Sequence, residues 1–172
     1  LSAALGNNES AQISLDGGVT WTTLTVTGTT WSYAQGSALA DGSYTYNVRV
    51  IDAAGNVGST ASQTVVIDTL APDASQTISI DAISQDTGLS SSDFITSDTT
   101  INLRGTLGAA LGADEYAQIS LDGGTTWQDV SISGLTWTYI DGRTLTDGDY
   151  TYQMRVVDLA GTVGATASQA VT

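Results

Sequence analysis

The feature that most constrains this chain is an internal duplication. Residues 1–66 align without a gap onto residues 107–172, at a constant offset of 106, and 39 of the 66 aligned pairs are identical. The segment AQISLDGG, for example, occurs at 11–18 and again at 117–124. A repeat of this length indicates that the chain is built from tandem copies of one folding unit.

The residues between the two copies, 67–106, have no partner in the chain. We therefore expect a complete repeat over residues 68–172 and a partial repeat over residues 1–67 that lacks its first strands. The core of the partial repeat should be partly open. We also expect the natural chain to extend in both directions.

The residue pattern predicts an all-β fold. Thr, Val, Ile, Tyr and Trp are common, and apolar residues alternate with Thr and Ser over short runs. LDGGTTW at 121–127 predicts a hairpin, because Asp and Gly favour positive φ. Seven short strands in about 100 residues are typical of a Greek-key, immunoglobulin-like β-sandwich, here in tandem. The strands are expected at 76–81, 99–104, 116–121, 126–132, 135–140, 150–158 and 165–171.

Two local patterns concern the aromatic residues. LTDGDYTY (145–152) and LADGSYTY (39–46) resemble the tyrosine corner of immunoglobulin folds, with Tyr150 and Tyr44 as the corner residues. The four tryptophans are interpreted as core or sheet-face packing and not as a binding platform. This interpretation covers Trp21, Trp31, Trp127 and Trp137.

The composition argues against several classes of function. The chain has 18 acidic residues against 4 arginines, a formal net charge of −14, and no His, Cys or Lys. Such a chain repels nucleic acid and anionic membranes, and no apolar run reaches the ~20 residues of a membrane helix. The usual nucleophiles and general bases are missing, so we expect no enzyme and no small-molecule substrate. A carboxylate pair of the glycosidase kind would need a cleft, which no pattern indicates.

Sixteen of the eighteen acids are Asp, whose short side chain suits turns and hard-cation loops. One group of acids should lie where the complete repeat begins, around the stiff junction DTLAPD (68–73), which contains Pro72. Converging carboxylates repel one another, and Ca²⁺, which takes 6–8 oxygen ligands, would turn that repulsion into a clamp. The predicted ligands are Asp68, Asp73, Asp114, Glu115 and Asp158, with Asp52 and Asn56 in the matching turn of the first copy.

A second group of acids should lie at the opposite end of the sandwich, in the loop DTGLSSSDFITSD (86–98). Asp86, Asp93 and Asp98 are the predicted Ca²⁺ ligands there, with backbone carbonyls completing the shell. The spacing does not fit an EF-hand. The isolated residues Asp16, Asp122 and Asp129 are predicted to form Asx turns instead.

Together, DTLAPD, AQISLDGGTTW (117–127), LTDGDYTYQMRVVDLAG (145–161) and TASQ (166–169) resemble a known family. They are similar to the bacterial immunoglobulin-like repeats that act as extenders in giant repeats-in-toxin (RTX) adhesins, among them ice-binding and biofilm adhesins. The resemblance covers the whole chain. It implies type I secretion, an extracellular place at the bacterial cell surface, neighbouring repeats as partners, and calcium near the junctions.

The resemblance also assigns roles to residues. The junction role falls on Asp68, Asp73 and Asp158, and the role of the first loop falls on Asp86, Asp93 and Asp98. Thr162 stands where the family has Asn.

Three functions remain in consideration. The first is a calcium-stabilised spacer that holds an adhesive tip away from the cell. The alternative is a calcium-dependent carbohydrate- or receptor-binding adhesin module, which predicts exposed aromatic residues near calcium. A third is an accessory domain of a secreted polysaccharide-degrading enzyme. The near-duplication favours the spacer, because adhesive tips are usually unique.

Overall fold

The computed structural model describes all residues, 1–172, and it confirms the predicted all-β fold. The chain divides into two compact units, residues 1–68 (unit 1) and residues 69–172 (unit 2). It contains no helix that is long and apolar enough to cross a membrane.

Unit 1 contains one four-stranded antiparallel sheet, in the order β2-β1-β5-β6, and a two-stranded sheet made of β3 and β4. The bounds are β1 (Glu9–Ser14), β2 (Thr22–Thr23), β3 (Val26–Thr27), β4 (Thr30–Trp31), β5 (Gly42–Asp52) and β6 (Val57–Ile67).

Unit 2 contains two four-stranded antiparallel sheets, in the orders β10-β9-β13-β14 and β11-β12-β8-β7. The apolar faces of the two sheets share one core, as in a sandwich. The bounds are β7 (Ala82–Ile83), β8 (Asn102–Thr106), β9 (Glu115–Ser120), β10 (Gln128–Val130), β11 (Ile132–Ser133), β12 (Thr136–Ile140), β13 (Tyr150–Asp158) and β14 (Val163–Val171).

The core of unit 2 follows from the alternation along β13. Tyr152, Met154 and Val156 are each fully buried, while the residues between them are more exposed, so one face of the strand points inward. Trp137 on β12 meets this face from the other sheet and is 1% exposed. The sandwich is therefore filled from both sheets by alternate residues.

Trp137 is accommodated because β8 carries a glycine opposite it. Gly105 is the cross-strand partner of Trp137, and the indole donates a hydrogen bond to the Ser79 carbonyl over 3.1 Å. A Cβ atom on Gly105 would lie 1.9 Å from that carbonyl oxygen and 2.6 Å from the indole ring. Only glycine at position 105 leaves room for the indole ring and the Ser79 carbonyl beside the backbone of β8.

This contact also explains why the strand predicted at 76–81 is wrong. The segment makes an isolated bridge between Ile78 and Leu107 and backbone hydrogen bonds to the residues of β8, but the regular strand begins later, at Ala82. The Ser79 carbonyl is bonded to a side chain, the indole of Trp137, which interrupts regular pairing at that point.

The single strand predicted at 126–132 is also wrong. It is divided into β10 and β11, and these belong to opposite sheets: β10 pairs with β9, and β11 pairs with β12. The chain crosses from one sheet to the other at Ser131. A continuous run of β-favouring residues does not reveal such a crossing, because both halves have strand character.

Both predicted tyrosine corners are confirmed. The Tyr150 hydroxyl donates to the Thr146 carbonyl over 3.0 Å, and the Tyr44 hydroxyl donates to the Ala40 carbonyl over 2.9 Å. These bonds tie the chain entering β13 and β5 to the residues just before each strand.

Beside the corner of unit 2 lies a buried polar group. Asp141 is 3% exposed and accepts hydrogen bonds from the Tyr152 hydroxyl (2.6 Å) and from Nη2 of Arg143 (2.7 Å). Burial alone would raise the pKa of Asp141, but the hydrogen bonds from Arg143 and Tyr152 outweigh it and lower that pKa. Unit 1 has Gln35 and Ser37 at the aligned positions, so it lacks this group.

Unit 1 has the counterparts of β9 to β14 but none of β7 and β8. Its buried apolar residues are Ala11, Ile13 and Leu24. Trp31, which aligns with Trp137, is 39% exposed, so the packing predicted for Trp31 is not found. The reason is that the strands that cover Trp137 have no equivalent over Trp31.

The other two tryptophans pack on the sheet face, as predicted. The guanidinium of Arg49 lies 3.9 Å from the ring centroid of Trp21, and that of Arg155 lies 4.1 Å from the centroid of Trp127. Gln12 accepts a hydrogen bond from Arg49 over 2.9 Å, which holds the stack in place. Such stacks cover the rings that a ligand platform would need to expose.

We expect Gly105→Ala to destabilise unit 2 by about 3 kcal/mol, because the new methyl group overlaps a backbone oxygen. Urea unfolding followed by near-UV circular dichroism measures the change. Gly142→Ala is the control, since a Cβ there meets nothing within 4 Å. Equal stability of the two variants would contradict the close packing at Gly105.

We expect Asp141→Ala to destabilise unit 2 by about 3 kcal/mol, because it leaves a guanidinium and a buried hydroxyl without their acceptor. Tyr152→Phe keeps the ion pair and should cost about 1 kcal/mol. Gln35→Ala, the aligned change at an exposed position of unit 1, is the control for thermal and urea unfolding. Equal free energies of unfolding for Asp141→Ala and Gln35→Ala would show that the buried Asp141 group does not stabilise unit 2.

Candidate metal-binding loops

The loops of unit 2 lie at the two ends expected from the sequence. Glu115 at the start of β9 is the cross-strand partner of Asp158 at the end of β13, so the β8–β9 loop and the β13–β14 turn share one end. At the other end, the Leu145 N–H donates to the Thr99 carbonyl over 2.9 Å. The loop before β8 therefore adjoins the segment that leads into β13.

Asp158 shapes the β13–β14 turn. Its carboxylate accepts a hydrogen bond from the Thr162 N–H over 2.9 Å and contacts the Thr162 hydroxyl. The hydrogen bond with the Thr162 side chain is the main cause that lowers the pKa of Asp158, although the residue is only 3% exposed. Asp158 is thus held as a carboxylate by its own turn.

Thr162, the departure from the family pattern, has a second contact. Its hydroxyl lies 2.7 Å from the Leu70 carbonyl oxygen. Pro72 is buried against Gly164, where an added Cβ would come within 2.7 Å of the proline ring. The segment that leads into unit 2 is therefore fixed to the start of β14 by two side-chain contacts.

Unit 1 has the same turn in its asparagine form. Asp52 accepts hydrogen bonds from the Ala54 N–H (2.9 Å), the Asn56 N–H (2.8 Å) and the Asn56 side-chain amide (2.8 Å). The bond from the Asn56 side chain is the main cause that lowers the pKa of Asp52. Asp52 and Asn56 are brought together, as a hydrogen-bonded pair.

The two junction acids belong to different units. Asp68 is the last residue of unit 1, and Asp73 belongs to unit 2. The Asp73 carboxylate accepts a hydrogen bond from the Ser75 N–H over 2.8 Å, which is the main cause of its lowered pKa. A shared junction site thus stays a prediction.

Asp114 and Glu115 lie around Gly112. The Gly112 N–H donates to Oε2 of Glu115 over 2.8 Å. A Cβ on Gly112 would lie 3.3 Å from Oδ1 of Asp114 and 3.2 Å from the carboxylate carbon of Glu115. The structure therefore brings these two acids together at the end of the sandwich that also holds Asp158.

In the loop 86–98, two acids bond to the backbone just after them. Asp93 accepts from the Ile95 N–H over 3.2 Å, and Asp98 accepts from the Thr100 N–H over 3.0 Å. Asp98 also contacts the Ser84 hydroxyl through its second oxygen, at 3.3 Å. Each carboxylate is thus placed by a local turn.

Asp86 differs from these acids. Its Oδ2 accepts a hydrogen bond from the Phe94 N–H over 2.9 Å, whereas its Oδ1 is buried and has no hydrogen-bond partner. No other buried side-chain nitrogen or oxygen of the chain lacks a partner. A buried carboxylate oxygen without a partner is costly, and such an atom commonly marks the place of an ion or an ordered water.

The loop around Asp86 is held in an uncommon conformation. Phe94 has φ of 62°, the left-handed region that bulky residues rarely adopt, and its side chain packs against the core. The Phe94 carbonyl accepts from the Thr172 N–H over 3.0 Å, and the Thr96 N–H donates to the Thr172 carbonyl over 2.9 Å. The end of β14 therefore fixes this loop from outside it.

Asp16 and Asp122 hold turns, but not the predicted Asx turns, because their carboxylates accept from the backbone three and four residues on and not two. Asp16 accepts from the Thr20 N–H over 2.8 Å, and Asp122 accepts from the Thr126 N–H over the same distance. The hydrogen bond with the hydroxyl of that threonine is the main cause that lowers the pKa of each Asp to about 2. The prediction for Asp129 is wrong: it lies within β10 and accepts from the Gln118 side chain over 2.9 Å.

No group of three or more His, Cys, Asp or Glu residues forms a ready-made metal cluster in the chain. The donor set still suits calcium, since it consists of carboxylate and carbonyl oxygens without sulfur or imidazole. Asp86 is the residue that best suits a bound cation, because its buried Oδ1 has no hydrogen-bond partner and a cation would supply one. Six further predicted ligands each accept a nearby backbone N–H through their carboxylate: Asp52, Asp73, Asp93, Asp98, Glu115 and Asp158.

Sequence reasoning missed two residues that organise these loops. The sequence marks Thr162 only as a departure from the family's Asn, and it assigns no role to Phe94. For Phe94 the sequence carried one signal, an isolated aromatic residue inside a loop of Ser, Thr and Asp. Such a residue is usually an anchor to the core.

Comparison with known protein families gives one matched segment for each of the two units. A family model described as a bacterial Ig-like domain matches residues 2–69 and 74–172. No curated protein is significantly similar to the chain. A solved structure of a 1.5-MDa bacterial ice-binding adhesin, from Marinomonas, is 20% identical, with a TM-score of 0.31; the match covers 98% of this chain and 53% of that one.

This chain therefore spans about half the length of that solved chain. The family match, in contrast, takes in nearly every residue and falls into two segments, one for each unit. The chain belongs to the family of bacterial Ig-like domains.

Proposed function

We propose that the chain is a calcium-stabilised spacer from a large bacterial surface adhesin. Its units extend the protein and hold an adhesive tip away from the cell. Membership of a bacterial Ig-like family and the tandem placement of two similar units support a structural repeat. The orphaned Oδ1 of Asp86 is the single observation that carries the calcium part of the proposal.

The charge of the chain supports a role for cations. A formal net charge of −14 in 172 residues repels itself, and divalent cations relieve that repulsion. Calcium at Asp86, with Asp93 and Asp98 in the same loop, would join that loop to the body of unit 2. Calcium at the other end would involve Asp68, Asp73, Asp114, Glu115 and Asp158, with Asp52 and Asn56 in the equivalent turn of unit 1.

The leading segment supports a stiff connection. Leu70 and Pro72 are fixed to Thr162 and Gly164 within unit 2, so this segment does not behave as a loose linker. The longest strands of unit 2 have 9 residues, which gives a sandwich of about 30 Å at ~3.3 Å per residue. Repeats of this size, joined in series, would each add about that length to the protein.

The aromatic residues favour a spacer over a ligand-binding module. A carbohydrate site uses open aromatic faces, but Arg49 and Arg155 cover Trp21 and Trp127. Trp137 is in the core. The exposed Trp31 lies in the open face of unit 1, far in sequence from the loop 86–98.

The proposed place of the protein is the outside of the cell, after type I secretion. Extracellular modules bind calcium at about 10⁻⁴–10⁻³ M, so external fluid saturates them and the cytosol does not. The chain would gain its full stability only after export. Neighbouring repeats of the same chain are the proposed partners.

We expect calcium to raise the melting temperature of unit 2 by roughly 5–10 °C, which corresponds to binding at about ten times its dissociation constant. Differential scanning calorimetry in EDTA and in calcium measures the shift. Magnesium at the same concentration is the control, because it prefers its water shell and a strict octahedral site. Identical melting in EDTA and in calcium would rule out the calcium part of the proposal.

We expect Asp86→Asn to abolish most of this calcium-dependent shift without destabilising the protein in EDTA. The substitution removes a charge that has no partner at Oδ1 and keeps an acceptor for the Phe94 N–H. Asp122→Asn is the matched control. It weakens a turn that uses the full carboxylate, so it should lower stability in both conditions and leave the calcium shift intact.

A full calcium shift in Asp86→Asn would show that Asp86 is not a ligand. A loss of the shift in both Asp variants would point to general charge screening and away from a site.

A further inference from the structure

The chain contains five Asp–Gly pairs, and their surroundings in the structure differ. In such a pair the backbone nitrogen of the glycine can attack the side-chain carbonyl carbon of the Asp, because glycine has no side chain that shields it. The attack needs a carboxyl group that is free to turn and a glycine N–H that is not held in a hydrogen bond. The pairs are Asp16–Gly17, Asp41–Gly42, Asp122–Gly123, Asp141–Gly142 and Asp147–Gly148.

Two of the five carboxylates are held by their own turns. Asp16 accepts from the Thr20 N–H over 2.8 Å, and Asp122 accepts from the Thr126 N–H over 2.8 Å. The hydroxyl of that threonine also bonds to the carboxylate and is the main cause that lowers the pKa of each Asp to about 2. Less of each residue is then the neutral acid, which is the form that an amide nitrogen attacks.

Two further pairs are restrained by the sheets. Asp141 is 3% exposed and accepts from Arg143 over 2.7 Å and from Tyr152 over 2.6 Å. Its carboxylate cannot turn toward the next backbone nitrogen without breaking a buried ion pair. Gly42, the glycine of the fourth pair, is the first residue of β5 and the cross-strand partner of Ile67, so its backbone is fixed by strand pairing.

Asp147 and Gly148 have none of these restraints. Both are exposed, and they lie in the segment that precedes β13, outside any strand. The Asp147 carboxylate and the Gly148 N–H form no hydrogen bond in the structure. A Cβ on Gly148 would meet nothing within 4 Å, so no neighbouring group blocks the approach of the two reacting atoms.

We propose that Asp147 is the site of a slow, selective isomerisation that converts its α-aspartyl linkage into a β-aspartyl linkage. The Gly148 nitrogen forms a bond to Cγ of Asp147, the nitrogen loses its proton, and the carboxyl hydroxyl leaves with that proton as water. Water then opens the resulting succinimide ring at either carbonyl, which restores Asp147 or places its Cγ in the main chain. One water is released and one is consumed, so the conversion needs no cofactor or oxidant.

The modified linkage lies inside the tyrosine corner of unit 2. The Tyr150 hydroxyl donates to the Thr146 carbonyl over 3.0 Å and accepts from the Thr146 N–H over 3.1 Å, and the Asp147–Gly148 bond lies between these two residues in the chain. A β-aspartyl linkage adds one carbon atom to the main chain of this loop. The isomerised corner therefore holds the start of β13 less tightly. This inference does not depend on calcium.

The test is incubation of the folded chain for several weeks at mildly acidic pH, followed by peptide mapping. Trypsin cleaves after Arg143 and Arg155 and releases residues 144–155, which contain no other Asp–Gly pair. Methylation by an isoaspartyl methyltransferase and electron-transfer fragmentation locate the β-aspartyl residues. We expect them at Asp147 at least about tenfold more often than at Asp16 or Asp122, since each pKa unit changes the share of neutral acid tenfold.

The same incubation in urea is the control for the fold. The unfolded chain should modify all five pairs at similar rates, because the turns and the sheets no longer protect four of them. Equal modification of Asp41 and Asp147 in the folded chain, or none at Asp147, would overturn the proposal. So would the same preference for Asp147 in urea, since the local sequence and not the fold would then select the site.

Asp147→Glu is the matched variant for the effect on the corner. It keeps the charge, but its longer side chain would have to close a six-membered ring, which forms more slowly. We expect the melting temperature of unit 2 to fall on incubation in the parent chain and to stay constant in Asp147→Glu. An equal fall in both chains, or a constant value in a parent chain that carries the β-aspartyl linkage, would contradict the weakened corner.

Discussion

The fold of unit 2 depends on the meeting of one indole, one glycine and one carbonyl. Trp137 fills the centre of the core, Gly105 leaves room for its ring, and the Ser79 carbonyl accepts its N–H. A buried tryptophan needs a polar partner for its N–H, and here the partner comes from the strand region that covers it. This one contact therefore gives the indole N–H its hydrogen-bond partner and holds the segment before β7 against the ring.

Unit 1 shows the same surface without that contact. The two units share the strands from β1 to β6 and from β9 to β14, together with the tyrosine corner and the Arg–Trp stacks. What differs is the exposure of Trp31 and the loss of a continuous core. Identity at 39 of 66 aligned positions thus preserves local structure, while the enclosure of the core depends on a separate segment of about 40 residues.

Much of the fold could be predicted from the sequence, because its main signals are local. The alternation in 150–158, the tyrosine corners and the LDGG turns each depend on residues within a few positions of one another. The features that were missed are non-local. The crossing at Ser131, the irregular pairing near Ser79 and the Asp141–Tyr152 bond all depend on the opposite sheet or a distant strand, which no local pattern reports.

For the acidic residues, too, the sequence predicts local contacts well and contacts with distant strands poorly. As isolated Asp residues, Asp16 and Asp122 were predicted to lie in turns, and they do, because each accepts hydrogen bonds from a threonine four positions on. Asp129 followed the same reasoning and was wrong because its partner, Gln118, is on the neighbouring strand. For the loop 86–98, the sequence predicted three equivalent ligands, whereas the geometry singles out Asp86.

The anchoring of Leu70 and Pro72 has a consequence under tension. A pull on the chain ahead of unit 2 reaches Thr162 and Gly164 before it reaches β7, because the first contacts of the segment are with those residues. A side-chain hydrogen bond to the Leu70 carbonyl and the packing of Pro72 on Gly164 are among the contacts that resist this pull. Under such a pull, these contacts would therefore bear the load before the sheets of unit 2 do.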